Sequence, residues 1–166
     1  ENITVKGFST AAHEGSPRMV TTSADATHFV SCNGKIIIED SLFESMLDDA
    51  ANIHGIYMLV DSVLSVNTLR AHFGHFQQVG NQFADAGDKI SFVDKSNLRP
   101  IGSGVIKSID KSDRKAYLIE MDFDLTRIEN PTNIALENLS RGAEVTIRNC
   151  TVRYNRARSM LLSTYG

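Results

Sequence analysis

Asp48 and Asp49 stand side by side in "SMLDDAANIHG", residues 45–55, directly after the apolar run "IIIEDSLF". On a regular strand adjacent side chains point to opposite faces, and adjacent like charges repel, so a carboxylate pair in one hollow requires a bent backbone. The period-2 alternation does lapse across this stretch. A third carboxylate, Asp25 in "TTSADATHFVSCNG", lies 23 residues before Asp48. If the chain completes one turn of a coil between them, Asp25 is brought beside the pair at the inter-strand spacing of about 4.8 Å. Three converging carboxylates favour keeping a proton on one while a neighbour stays ionised, which is the division of labour of glycoside hydrolysis. Taken singly, each Asp is as readily a turn residue.

The elements that position such a cluster must repeat. "ITVKGF" (3–8), "IIIEDSLF" (36–43) and "VTIRNCTVRY" (145–154) share a β-branched alternation that ends in a small or polar corner. Setting Val5, Ile38 and Ile147 in register brings Gly7, Asp40 and Asn149 to one bend, followed by Phe8, Ser41 and Cys150. Gly, Asp and Asn tolerate the unusual φ of a tight corner, and repeated short strands with a fixed corner mark a coil that stacks on itself. Ile38 and Ile147 are 109 residues apart, too far for one coil. Between them, "TLRAHFGHFQQ", "DKISFVDK", "GSGVIKSIDKS" and "KAYLIEMDFDL" are separated by hairpin-like turns "DAGD", "SNLRP" and "KSDR". The expected fold is all-β: right-handed parallel β-helix coils interrupted by a small antiparallel β-barrel. The expected boundaries are 1–63 for the first coils, 64–133 for the barrel and 134–166 for the resumed helix. An all-β sandwich shows similar alternation and stays open on periodicity alone.

Twenty acidic and seventeen basic residues give a formal charge of −3, which offers no sequence-wide electrostatic reason to bind nucleic acid or an anionic membrane. No apolar run approaches the roughly 20 residues of a membrane span. The chain starts without Met and shows no signal peptide, as an excised or processed piece would. Cys32 and Cys150 lack metal-ligand spacing and are expected to be buried reduced thiols. His72 and His75 in "RAHFGHF" have no acidic or Cys partners nearby in sequence and are expected to be barrel residues rather than metal ligands.

"SADATHFVSCNGKIIIEDSLFESMLDDAANIHGIY" resembles the catalytic β-helix of glycoside hydrolase family 110, the α-1,3-galactosidases. "HFQQVGNQFADAGDKISFVD" resembles the inserted barrel of that family, and "IRNCTVRYNRARSMLLSTYG" the coil that resumes after it. The resemblance implies an inverting exo-hydrolase that removes terminal α-1,3-linked galactose, as from blood-group B type or linear glycans. It implies Asp48 as general acid and Asp25 and Asp49 as the bases that activate water, with no cofactor and no metal. It also implies a galactose-terminated glycan as partner and a secreted or periplasmic location. Inversion requires acid and base about 6.5–9.5 Å apart. His28, His54, Asn52, Arg156 and Arg158 are candidate sugar-binding residues; for the two His, tuning a carboxylate is the alternative. Two other readings remain: a β-helix polysaccharide lyase dependent on calcium, and a non-catalytic glycan-binding or structural β-helix. A short stack of coils without caps is expected to expose edges and to permit self-association.

Overall fold

A computed structural model describes residues 2–163, so the last three residues of the expected 134–166 segment lie outside the described residues. Among the described residues all long regular elements are strands, and the helical ones are three single 3₁₀ turns at Phe76–Gln78, Leu125–Arg127 and Pro131–Asn133. Among the described residues no helix is long and apolar enough to cross a membrane. The chain forms two compact units: the described residues up to Gly55 together with those from Gly142 onward, and Ile56–Arg141.

The first unit is built by three passes of the chain. The first contributes Ile3–Lys6, Ser9–Thr10 and Thr27–Val30; the second Gly34–Glu39, Leu42–Glu44 and Ala51–His54; the third Ala143–Arg148, Thr151–Arg153 and Met160–Ser163. Each pass gives one strand to each of three parallel sheets, with the second pass always in the middle. Alternation explains the packing. Ile36, Ile38, Phe43, Ala51 and Ile53 point inward and are buried, and Val5, Val145, Ile147 and Val152 close over them. Full burial of one such large side chain is worth about 1.5–3 kcal/mol.

The expected register holds: Val5 pairs with Ile38 and Ile38 with Ile147. The expected corner holds as well. Gly7, Asp40 and Asn149 all have left-handed φ of 62°, 53° and 51°, and Asn149 Nδ2 donates to Asp40 Oδ1 at 3.2 Å. These residue types reach that region at little cost. A second corner at Ser45 and Tyr154, φ 58° and 61°, carries no such residue signal. The first pass is longer than the others. Its partner offset is 33 at Thr10 but 24 at Thr27, so nine extra residues loop out between them.

From the second pass to the third the offset is 109 throughout, and every sheet adds an ion pair at that separation: Lys35 with Glu144, Glu39 with Arg148, Glu44 with Arg153 and Asp49 with Arg158. Glu39, only 6% exposed, also meets Lys6 Nζ at 2.9 Å, so the middle pass is tied on both sides. Exposed pairs add little stability singly, but these mismatch if the returning chain slips by one residue. Cys150 Sγ lies 3.3 Å from the Arg148 carbonyl and Cys32 Sγ 3.8 Å from that of Val30. Both thiols are half-buried rather than buried, because each follows a positive-φ corner residue at the edge of the core.

The second unit is a closed barrel of six strands in the order Pro100–Asp110, Ala116–Met121, Thr68–Phe73, Tyr57–Val63, Ile134–Asn138 and Lys89–Asp94, each antiparallel to its neighbours. Met58, Leu69, Ile90, Phe92, Ile106, Ile119 and Leu136 fill it. The barrel therefore begins before residue 64 and ends after residue 133. Tyr57–Val63 and Ile134–Asn138 pair with each other and with Thr68–Phe73 and Lys89–Asp94, and without them the sheet would keep two open edges. His72 pairs with Asp61 at 2.6 Å, and His75 caps the Phe76–Gln78 turn.

A charge cluster fastens one part of the barrel. Arg141 Nε donates to Asp88 at 3.0 Å and its Nη2 to Asp85 at 2.5 Å; Lys111 reaches Asp85 at 2.7 Å, and Asn138 Nδ2 donates to Asp88 at 2.9 Å. The Lys111 bond, foremost, holds the Asp85 carboxyl below the ordinary value of 3.8. Burial pushes Asp88 upward, but bonds from Asn138, the Asp85 amide and Arg141 together leave it below 3.8 as well. Groups depressed in the folded state stabilise fully above the unfolded pKa and lose that contribution as pH falls through the folded value. The barrel's melting temperature should accordingly hold down to about pH 4 and drop below it. Calorimetry on the Asp88→Asn variant should show a shallower acid decline; an unchanged decline would remove the cluster as its cause.

Candidate active site

Asp25, Asp49 and Arg158 each stand two residues before a strand of one parallel sheet: Thr27–Val30, Ala51–His54 and Met160–Ser163. Thr27 and Met160 both pair with Ala51, so the three form one column across the three passes. Backbone bonds lock it: Ala26 N–H to Asp49 O at 2.9 Å, Thr27 N–H to Ala50 O at 3.1 Å and Ala50 N–H to Ser159 O at 3.0 Å. Asp25 is thus in register with Asp49 rather than Asp48. The backbone bends through residues 45–50. Asp49 turns into the stack with no exposed surface, while Asp48 stays partly exposed. The Asp49 amide closes the group by donating to Asp25 Oδ1 and Asp48 Oδ1, both at 3.1 Å. One carboxylate oxygen from each of the three lies within 4.8 Å of the others. That is shorter than the separation expected for an inverting pair, because stacked passes bring their residues to the inter-strand distance.

The three carboxylates have different surroundings. Both oxygens of Asp49 face Arg158, at 3.4 Å from Nε and 3.1 Å from Nη2. The bond and charge of Asp49 raise the guanidinium pKa, and Asp48 and Asp25 add to that effect. Asp25 Oδ2 accepts from Asn52 Nδ2 at 3.2 Å and lies 3.4 Å from His28 Nδ1. Asp48 accepts the one amide and makes no other bond among the described residues. Oxygens this close also suit a divalent cation, but a guanidinium already occupies Asp49 and supplies the compensating charge.

His28, His54, Asn52 and Arg158 therefore join the Asp trio, and in the structure their polar atoms meet protein groups. His28 Nε2 is 2.8 Å from His54 Nε2, and His54 Nδ1–H donates to the Gly55 carbonyl at 2.7 Å. Register accounts for this: His28 pairs with Asn52, and His54 lies two residues on along the same outward face. Asn52 Oδ1 is buried and has no hydrogen-bond partner among the described residues. Arg156 does not join the group. Its side chain is exposed, and its amide donates to the Met46 carbonyl at 3.1 Å. It falls at the bend before the sheet, two residues short of the column that holds Arg158. Sequence reasoning missed the Gly55 carbonyl and the Thr27 hydroxyl, which donates to Ala50 O at 2.9 Å. A carbonyl leaves no residue signal; a Thr opening a strand after "Asp-Ala" was the available one.

The second unit contains the match to a known family. Residues 68–128 fit the model described as GLAA-B beta-barrel domain II. Beyond it, 99% of the chain is 38% identical to a protein named Alpha-1,3-galactosidase B from Parabacteroides distasonis and 35% identical to one of the same name from Bacteroides fragilis. An Akkermansia muciniphila protein, also named Alpha-1,3-galactosidase B, is 34% identical over the same share. The chain spans 28%, 29% and 20% of these three relatives. The aligned region takes in both the barrel and the passes that carry the Asp trio.

Proposed function

We propose, from the premise that this chain is homologous over nearly its whole length to the α-1,3-galactosidases of glycoside hydrolase family 110, that the protein containing it is an inverting exo-glycosidase acting on terminal α-1,3-linked galactose. In this reading the three parallel sheets are faces of a right-handed parallel β-helix, and the barrel is an insertion between its coils. The substrate is a glycan of blood-group B or linear α-galactosyl type, met in a secreted or periplasmic location. The observation that carries the proposal is the convergence of Asp25, Asp48 and Asp49 in three different environments within 4.8 Å.

Their environments divide the roles. Asp49 is held by Arg158, and Asp25 lies beside His28 and accepts from Asn52, which orients both carboxylates and suits them to positioning a water molecule and drawing its proton. Asp48 is partly exposed and has one oxygen uncommitted among the described residues, so it is the group to carry a proton to the glycosidic oxygen. As that C–O bond breaks, water adds to the anomeric carbon and gives its proton to Asp25 or Asp49. The net reaction is hydrolysis with inversion.

The short carboxylate spacing favours a second reading, double displacement with retention, for which about 5–5.5 Å is usual. Incubating the full-length protein with an α-1,3-galactoside and following the first anomer by NMR separates them. β-Galactose is expected; α-galactose would mean retention. EDTA should leave the rate unchanged, whereas loss of activity restored by calcium would favour the lyase reading. Absence of any galactose release would favour a non-catalytic role.

A further inference from the structure

The sugar that departs from galactose also needs a seat, and the proposed chemistry gives its direction. Asp25 and Asp49 draw water to one side of the anomeric carbon, and Asp48 protonates the oxygen that leaves on the other. The sugar carried off on that oxygen therefore extends from Asp48 away from the bases, back along the passes toward Leu47. Register describes what lies there. The Leu47 amide donates to the Thr22 carbonyl at 3.0 Å and the Arg156 amide to the Met46 carbonyl at 3.1 Å, so the passes stay aligned through the bend. At the offsets that pair Thr27 and Met160 with Ala51, the neighbours of Asp48 are Ala24 and Ala157. Both are small and exposed, which leaves room over the acid.

Three exposed side chains adjoin that opening. Leu47, 40% exposed, is an apolar surface one residue before the acid. Tyr154 is 75% exposed and has a φ of 61°, a left-handed conformation that a bulky residue reaches only at a cost and that concentrates at ligand clamps. The second pass turns the same corner with Ser45. Arg153, itself paired with Glu44, lies over the Tyr154 ring at 5.3 Å and holds it on one side. Only three residues, at most about 10–11 Å of chain, lead from Tyr154 to Ala157. Asn155 Nδ2 fixes that turn by donating to the carbonyls of Ala157 at 3.1 Å and Arg158 at 2.8 Å. Arg156, the register neighbour of Leu47, is exposed and, unlike Arg153 and Arg158, makes no ion pair among the described residues. An apolar patch, an aromatic ring and an uncommitted fork of donors suit a sugar, whose C–H face packs on a ring while its hydroxyls accept from a guanidinium. We infer that Leu47, Tyr154 and Arg156 form the subsite for the sugar to which galactose is attached, Tyr154 packing on its ring and Arg156 donating to its hydroxyls. The inference rests on the reading of Asp48 as proton donor. Arg156, outside the carboxylate group, then serves the second sugar rather than galactose.

α-Galactosyl fluoride carries no second sugar, so its comparison with an α-1,3-linked disaccharide on the full-length protein isolates the subsite. Tyr154→Ala and Arg156→Met should each lower kcat/KM about 10-fold for the disaccharide, the scale of one lost bond to a charged group, and less than about twofold for the fluoride. Tyr154→Phe, which keeps the ring, should retain most of the disaccharide rate. Equal losses on both substrates would make the residues structural or part of the galactose site, and no loss on the disaccharide would leave them without a role; either result overturns the inference. Saturation-transfer NMR of the disaccharide with the Asp48→Asn variant reads contact without turnover. Expected are signals from both rings, with those of the second ring lost on adding Tyr154→Ala. Second-ring signals that persist in the double variant, or that never arise, would overturn it as well. If the unsubstituted protein cleaves no galactoside, the functional reading fails while the NMR result still decides the contact with the second sugar.

Discussion

Asp48→Asn in the full-length protein is expected to reduce release of galactose from an α-1,3-linked disaccharide by about 10²–10⁴-fold, the usual contribution of a positioned proton donor. KM and melting temperature should hardly move. The Asp48 oxygen that binds the Asp49 amide at 3.1 Å has a counterpart in the Asn side-chain carbonyl, so the bend between the two residues is preserved. What is lost is the proton for the departing oxygen. α-Galactosyl fluoride, whose leaving group needs no protonation, should therefore be hydrolysed by the variant at a rate near that of the unsubstituted protein. Asp25→Asn should fail on both substrates, because a missing base affects the attack of water whatever departs. Equal losses on both substrates in Asp48→Asn would assign the proton donor elsewhere.

The sequence made the column around Asp25 and Asp49 legible because one physical rule connects residue type to place. Side chains alternate along a strand, and only a few residue types turn a left-handed corner cheaply. Val5, Ile38 and Ile147 supplied the first signal, and Gly7, Asp40 and Asn149 the second; together they gave the register of the first corner, while the nearness of Asp25 to the Asp pair came from their spacing of one coil, since nine extra residues change the offset from 33 to 24 in between. Where those signals stop, reading stops as well. The second corner uses Ser45 and Tyr154, which announce nothing. Only Gly55 and Ile56 separate His54 from the first barrel strand, so the sequence carries no break that would place Tyr57–Val63 in the barrel. His28, Asn52 and His54 share one outward face because the register pairs His28 with Asn52 and alternation carries that face on to His54. Alternation does not say whether an outward polar group meets solvent, sugar or a neighbour; in the structure Asn52 and His28 meet Asp25, and His54 meets His28 and the Gly55 carbonyl.

Arg158 also illustrates that limit, and it yields the second large effect. Arg158→Met is expected to leave Asp49 without the one cation that meets both its oxygens, at a position with no exposed surface. Breaking a wholly buried ion pair costs about 3–5 kcal/mol. The Arg158 side chain is 62% exposed, so water reaches the site and the expected cost falls well below that of a wholly buried pair. The contribution cannot be removed from the arginine side by pH. The guanidinium, raised above its already high ordinary value in the folded state, contributes fully below that ordinary value and is lost only above it. Substitution is therefore the usable probe, and native-state hydrogen exchange the usable readout, since global unfolding of a long protein is not two-state. Faster exchange should be confined to the Ala50 amide and the Met160–Ser163 strand, whose pairing to Ala51–His54 the column secures. Asp49→Asn in the same chain should restore protection, because a neutral amide at that depth needs no counter-charge; the coupling between the two changes then measures the pair itself. Activity should not return with protection, since the double variant lacks one of the two bases. Recovery of both together would mean that Asp49 serves only to hold the third pass in place, leaving Asp25 to activate water alone.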